Sequence, residues 1–214
     1  MRKKVLLLSI FLVFVSAFLF AEPLDRNTVN SFDRPFMFEY NKTLDKTATA
    51  LDFSLLLTPS IIALGGNSQI STLTVMYAET ILSSWAIKEV LKNTIERSRP
   101  YMYYDNPPIE EKDKWNKSFP SGHTTIAFAA ASFTSFVFSK YYPDSKWKLP
   151  LKISLYTIAG TTAVLRVLSG NHFVSDVLSG ALIGTLCGFG IPLLHTINTD
   201  VTVTPFSLVF NVGW

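Results

Sequence analysis

The sequence predicts an all-α protein, a helical bundle embedded in a membrane with five to six spanning helices. Three observations lead there. Of 214 residues 48% are hydrophobic and only 16% charged, where about a quarter is usual for a soluble protein. Five apolar segments, near residues 51–66, 71–91, 123–140, 152–168 and 174–197, follow an apolar N-terminal run, and each has the ~20-residue length that a bilayer asks for or slightly less. Basic residues also gather where a membrane would place them. With Arg2, Lys3 and Lys4 cytoplasmic, alternation of spans puts Lys140, Lys146, Lys148 and Lys152 on that side too, as the positive-inside rule requires. A soluble, wholly helical bundle is the alternative, because Glu79, Lys88 and Glu89 interrupt the second segment.

The elements follow in order. Residues 1–21 join that basic cluster to a charge-free run from Val5 to Phe20, the plan of a secretory signal peptide. Leu19 stands where cleavage prefers a small residue, so a retained first transmembrane helix fits as well. No cysteine follows directly, which excludes lipoprotein processing. Both readings send the chain across the membrane of a bacterial envelope or an equivalent compartment. Residues 22–50 are polar and aromatic and read as extramembrane, with short helical or irregular pieces. Residues 22–197 then form one domain. In its last segment Gly180, Gly184, Gly188 and Gly190 are small residues that let helices approach closely in lipid. Cys187 is a packing residue there and has no cysteine to pair with. Residues 198–214 form a C-terminal tail that is β-rich by propensity, with alternation broken by Pro205.

The net charge of +3 is small and scattered, and no basic stripe interleaved with aromatics points to nucleic acid. No spacing of His, Cys and acids marks a metal site, and no cofactor is expected.

Polar residues cluster instead at segment ends. They are "KNTIERSRP" from Lys92 to Pro100, "PSGH" from Pro120 to His123, and "RVLSGNHFVSD" from Arg166 to Asp176. Singly, each has an ordinary role. Lys92 and Arg99 fit cations snorkelling at an interface, Ser121 fits a helix N-cap, and His172 with Asp176 fits a solvated helix turn. Jointly they do more, because alternation of the segments brings all three clusters to one end. Lys92, Arg99 and Arg166 can then surround a group bearing about two negative charges, their geometry suiting phosphate. Backbone N–H groups near Ser121 and Gly122, at a helix start, point at the same anion. Asp176, one turn from His172, can hold its far ring nitrogen protonated and free the near one to attack. His123, from another element, can protonate the departing oxygen and then activate water.

The ordered set resembles the type 2 phosphatidic acid phosphatase (PAP2) superfamily, whose pattern is K-x6-R-P, then P-S-G-H, then S-R-x5-H-x3-D. Lys92 with Arg99-Pro100, Pro120 to His123, and Arg166 with His172 and Asp176 keep those spacings. Leu165 departs from the pattern, replacing the serine before Arg166. The resemblance implies metal-independent hydrolysis of a phosphomonoester or diphosphate through a phosphohistidine, with His172 as nucleophile and His123 as acid.

The expected substrate is a lipid phosphate or diphosphate, attacked at the periplasmic face of the bacterial inner membrane. The alternatives are a soluble acid phosphatase secreted to the periplasm, a vanadium-dependent haloperoxidase, and a non-catalytic membrane protein or transporter that binds an anion. His195 is expected to be dispensable. It lies 19 residues beyond Asp176, roughly 28 Å along one helix, and so near the opposite membrane face.

Overall fold

A computed structural model describes residues 24–60 and 70–197, with two short strands beyond them. The N-terminal run, the end of the first apolar segment and most of the tail lie outside the described residues. Five α-helices are described: α1 (Lys42–Leu56), α2 (Ile70–Thr94), α3 (Gly122–Tyr141), α4 (Lys148–Leu168) and α5 (Val174–Ile197). Beyond α5, Val203 pairs with Leu208 and Thr204 with Ser207 in a small antiparallel ribbon, in the stretch whose propensity is β.

Helix α1 starts well before the apolar segment expected at residue 51. Asn41 caps it, its side chain accepting the Thr43 and Leu44 amides at 3.1 Å each. In its first turns Lys42, Thr43, Lys46 and Thr47 are exposed, and the inward face is polar as well. Asp45, Thr49 and Asp52, at i, i+4 and i+7, share one helix face and line a cleft.

Side-chain contacts show that the helices alternate in direction. Thr49 in the middle of α1 meets His123 at the start of α3, and Thr58, just past α1, meets Thr134 further along α3. Tyr77, near the start of α2, bonds back to the Leu56 carbonyl. Arg166 at the end of α4 pairs with Asp45 near the start of α1. Helices α1, α3 and α5 therefore begin, and α2 and α4 end, at one end of the bundle.

Helix α3 is the centre and packs on all four others. Its side chains are correspondingly small or hydroxylic: Ala127, Ala129, Ala130, Ala131, Ser132 and Thr134 are all buried. Its closest neighbour is α5. A Cβ at Gly180 would stand 2.7 Å from the Ser121 carbonyl oxygen and one at Gly188 2.6 Å from that of Ala129, with Gly184 still tighter against Thr125. Three of the four expected glycines thus serve the close approach. Gly190 faces open space.

The outer helices carry the apolar surface. Among the described residues, Lys148–Leu168 and Val174–His195 are long and apolar enough to cross a membrane. Leu178, Leu182 and Leu186, at i, i+4 and i+8, leave a stripe about 60% exposed along α5. Glu79, which interrupts the second apolar segment, has a partner: its carboxylate lies 2.6 Å from His195 Nε2.

The short loop between α4 and α5 is clasped on both sides. The Ser169 carbonyl accepts the Asn41 amide and the Gly170 carbonyl the Tyr101 amide, each at 3.1 Å. Gly170 has φ +71°, and a Cβ there would lie 2.6 Å from the Glu39 carbonyl oxygen, so the clasp requires glycine.

Candidate active site

At the end where α1, α3 and α5 begin, a cleft of about 660 Å³ opens. Lys92, Arg99, Gly122, His123, Arg166 and His172 all line it, brought from three helices and two connecting segments. Ser121 and Asp176, also singled out in the sequence, stand fully buried behind that wall. A second cavity, about 250 Å³ and lined by residues such as Leu73, Tyr77 and Phe133, is apolar and belongs to the packing between α2 and α3.

The three cations are held by neutral groups or one acid, and each keeps capacity for more. Lys92 Nζ donates to the Lys117 carbonyl at 2.7 Å, and Arg99 Nη1 to Asn171 Oδ1 at 2.6 Å. Arg166 Nη1 donates to Asp45 Oδ1. Among the described residues, the buried side-chain nitrogens and oxygens without a partner are Asp52 Oδ1, Arg99 Nε, Tyr101 Oη, Arg166 Nε and His172 Nδ1. Four of these five residues line the cleft. Two of the four, Arg99 Nε and Arg166 Nε, are donors, and buried donors left unpaired cost stability, so this pair marks a place prepared for an acceptor-rich guest.

Behind His172 lies a network that the sequence motifs did not reveal. Asp176 Oδ1 accepts Arg97 Nη1 at 2.5 Å, and its Oδ2 accepts the Ser118 hydroxyl at 2.6 Å and the Phe173 amide at 2.9 Å. Arg97 continues to Asp33 at 2.7 Å and lies 4.0 Å over the Phe173 ring. Asp33 in turn accepts the Ser175 amide at 2.9 Å and its hydroxyl at 2.6 Å. Burial pushes the Asp33 carboxyl up, but hydrogen bonds from Ser175, Asn30 and Arg97 outweigh it and hold the group below the ordinary value.

His172 precedes α5 rather than lying on it, so the expected shared helical turn is replaced by a capping turn. Its Nδ1 is 3.7 Å from Asp176 Oδ2, beyond hydrogen-bond length. Burial, followed by the charges of Arg99, Arg166, Lys92 and His123, holds the His172 imidazole well below its ordinary pKa. The ring is therefore neutral near pH 7.

On the opposite wall, His123 Nε2 lies 3.2 Å from Thr49 Oγ1. Ser121 occupies the N-cap position of α3 without capping it. Its hydroxyl pairs with Thr124 Oγ1 at 2.9 Å, and its amide donates to the Asp176 carbonyl at 3.1 Å. The amides of Gly122 and His123 come next, in the first turn where an α-helix offers no acceptor of its own. A Cβ on Gly122 would lie 3.0 Å from the Lys88 side chain, so glycine leaves the Lys88–Lys92 edge of the cleft its room. His195, by contrast, sits at the far end of α5 with Glu79.

Residues 73–200 match the PAP2 superfamily. The chain belongs to that superfamily. The matched PAP2 region contains all three motifs from Lys92 to Asp176. Phosphatidylglycerophosphatase B of Bacillus subtilis is 39% identical over 108 residues, 48% of this chain and 48% of that protein. Lipid A 1-phosphatase of Porphyromonas gingivalis is 39% identical over 71 residues, 33% of this chain and 15% of that protein. An acid phosphatase of Zymomonas mobilis is 31% identical over 98 residues, 44% of this chain and 33% of that protein. These matches thus span about half or less of each relative.

Two crystal structures share the fold. A transmembrane PAP2-type phosphatidylglycerolphosphate phosphatase from Bacillus subtilis superposes with a TM-score of 0.58 at 24% identity, covering 97% of this chain and 100% of that one. LpxE of Aquifex aeolicus gives 0.53 at 24% identity, over 75% of this chain and 92% of that one. The fold is thus the helical bundle of the PAP2 proteins.

Proposed function

We propose that this PAP2 protein is a metal-independent phosphatase that cleaves a lipid phosphate or diphosphate through a phosphohistidine, at the periplasmic face of a bacterial inner membrane. One observation carries the reading. Arg99 Nε and Arg166 Nε are buried donors without partners in one cleft that also holds two histidines, an arrangement suited to a phosphoryl group and costly without one.

The steps balance as follows. The neutral His172 attacks phosphorus through Nε2, the nitrogen away from Asp176, while the bond from phosphorus to the leaving oxygen breaks. His123 enters this step as the imidazolium, its charge offset by the bound phosphate dianion, and supplies the proton that the leaving oxygen needs. Water then attacks the phosphohistidine, giving one proton to His123, and the phosphorus–nitrogen bond breaks to release phosphate. Lys92, Arg99, Arg166 and the first amides of α3 meet the charge that builds on the equatorial oxygens. Asp176 stabilises the His172 cation, its 3.7 Å separation shortening as that charge forms.

The exposed leucine stripe on α5 favours a membrane protein over a secreted soluble phosphatase. The lysines that follow α3 and open α4 lie at the end remote from the cleft, which supports a periplasmic cleft. The relatives' names, lipid A 1-phosphatase and phosphatidylglycerophosphatase, fit a lipid substrate. The test is phosphate release by purified protein from isoprenyl diphosphates, phosphatidic acid, phosphatidylglycerophosphate, lipid A and p-nitrophenyl phosphate. Release from none of them would end this reading.

A further inference from the structure

Arg97 is an unexpected neighbour for a carboxylate that serves a histidine. Its Nη1 lies 2.5 Å from Asp176 Oδ1, and a guanidinium there cancels the charge that His172 needs. On attacking phosphorus the His172 ring becomes a cation, and Arg99, Arg166, Lys92 and His123 around it all oppose a further positive charge. Both oxygens of Asp176 meet groups that can only donate, Arg97 and the Phe173 amide, as an ionised carboxylate requires. A pair of Asp176 and Arg97 alone is therefore neutral and offers the cation little.

Asp33 restores the charge. Arg97 Nη2 lies 2.7 Å from Asp33 Oδ2, so one guanidinium is shared by two carboxylates, both 0% exposed. Asp33 also accepts Asn30 Nδ2 at 2.8 Å, the Ser175 amide at 2.9 Å and the Ser175 hydroxyl at 2.6 Å. Burial pushes its carboxyl up, but these bonds and Arg97 outweigh that and keep it ionised. Two carboxylates and one guanidinium leave the chain of Asp33, Arg97 and Asp176 with a net negative charge in a buried place. Such a charge is unfavourable without a counter-ion. The partnerless Nδ1 of His172, 3.7 Å from Asp176 Oδ2, is where one forms during the reaction.

We propose that Asp33 is a positioning residue for the nucleophile, acting through Arg97 so that Asp176 keeps a net negative charge with which to hold and stabilise the His172 cation. Asp33 does not line the cleft, and no proton moves along the chain. This inference rests on the phosphatase reading above.

The test uses the full-length protein in detergent micelles and p-nitrophenyl phosphate. Single-turnover release of p-nitrophenolate at saturating enzyme reads the attack by His172 and does not depend on the fraction folded. Asp33→Asn keeps the size of the side chain and removes its charge. It should lower this rate constant about 3- to 10-fold. Inorganic phosphate should inhibit as well as before or better, because a negative charge has left the neighbourhood of its cations. A merely loosened site would weaken phosphate as well. Combining Asp33→Asn with Arg97→Gln removes one charge of each sign and leaves Asp176 its own, so the rate constant should recover towards the wild-type value. Asp33→Ser, also neutral, carries the test if the asparagine variant does not fold.

An unchanged rate constant in the neutral variants overturns the role of Asp33 while leaving the phosphatase reading intact. A parallel loss of rate and phosphate affinity, or a double variant no faster than Asp33→Asn, does the same. A wild-type protein that releases phosphate neither from p-nitrophenyl phosphate nor from the lipids named above overturns both.

Discussion

The two histidines stand in the walls of one cleft, but their surroundings are built differently. Behind His172, both oxygens of Asp176 are occupied, and Arg97 ties that carboxylate to Asp33 and through it to Ser175. Beside His123 stands Thr49 at 3.2 Å, and one turn further a buried carboxylate oxygen that has no partner among the described residues. The nucleophile's side is complete before substrate arrives, whereas the leaving-group side is left for the substrate to complete. A rigid side keeps the phosphoryl chemistry constant, and an incomplete one lets different headgroups be told apart.

The largest expected effect comes from removing the attacking ring. His172→Ala should lower phosphate release by at least ~10³-fold while the cations still bind vanadate, measured by calorimetry. Full activity in this variant would dismantle the assignment of the prebuilt side.

His123→Ala tests the other side. The loss should reach ~10²–10⁴-fold for alkyl phosphates, whose leaving oxygens need a proton, and be far smaller for p-nitrophenyl phosphate. Equal losses for both would contradict the acid role.

The brace itself is tested by Arg97→Leu. Asp33 and Asp176, both fully buried, would be left without their shared cation, at a cost of about 3 kcal/mol in denaturant unfolding. Adding Asp33→Asn should recover part of that loss. If the single and double variants unfold alike, the network does not couple the two carboxylates.

The smallest effect concerns pH. His172 is held neutral in the fold by burial and the neighbouring cations, so below pH ~6.5 the unfolded chain takes a proton that the folded one refuses. Stability should therefore decline as pH falls from 7, by up to ~1.4 kcal/mol per unit for this one group. His172→Asn should flatten that slope in thermal unfolding at pH 7, 6 and 5.

Much of the site was legible in the sequence because its parts are short and local. Spacing alone placed Lys92, Arg99, Gly122, His123, Arg166 and His172 at helix ends, and alternation of the segments placed those ends together. The glycine spacing likewise announced a close helix approach, which the structure places between α3 and α5 at three of the four positions. Asp45, Thr49 and Asp52 left a readable signal, an i, i+4, i+7 polar face, masked by the expectation that a spanning segment begins where charge ends. Arg97 and Asp33 left none. Each is a single polar residue whose partners lie 64 and 79 positions away for Arg97 and 142 for Asp33 with Ser175, and no local periodicity encodes such a pairing.

The sequence by itself determined the helices, their order and which ends carry charge, because apolar periodicity, caps and breakers act within a few turns. Only the tertiary structure decided which buried groups find partners. That depends on distances between side chains set by the packing of α1, α3 and α5, and it separates Asp176, with both oxygens satisfied, from Asp52, with one buried oxygen left without a partner.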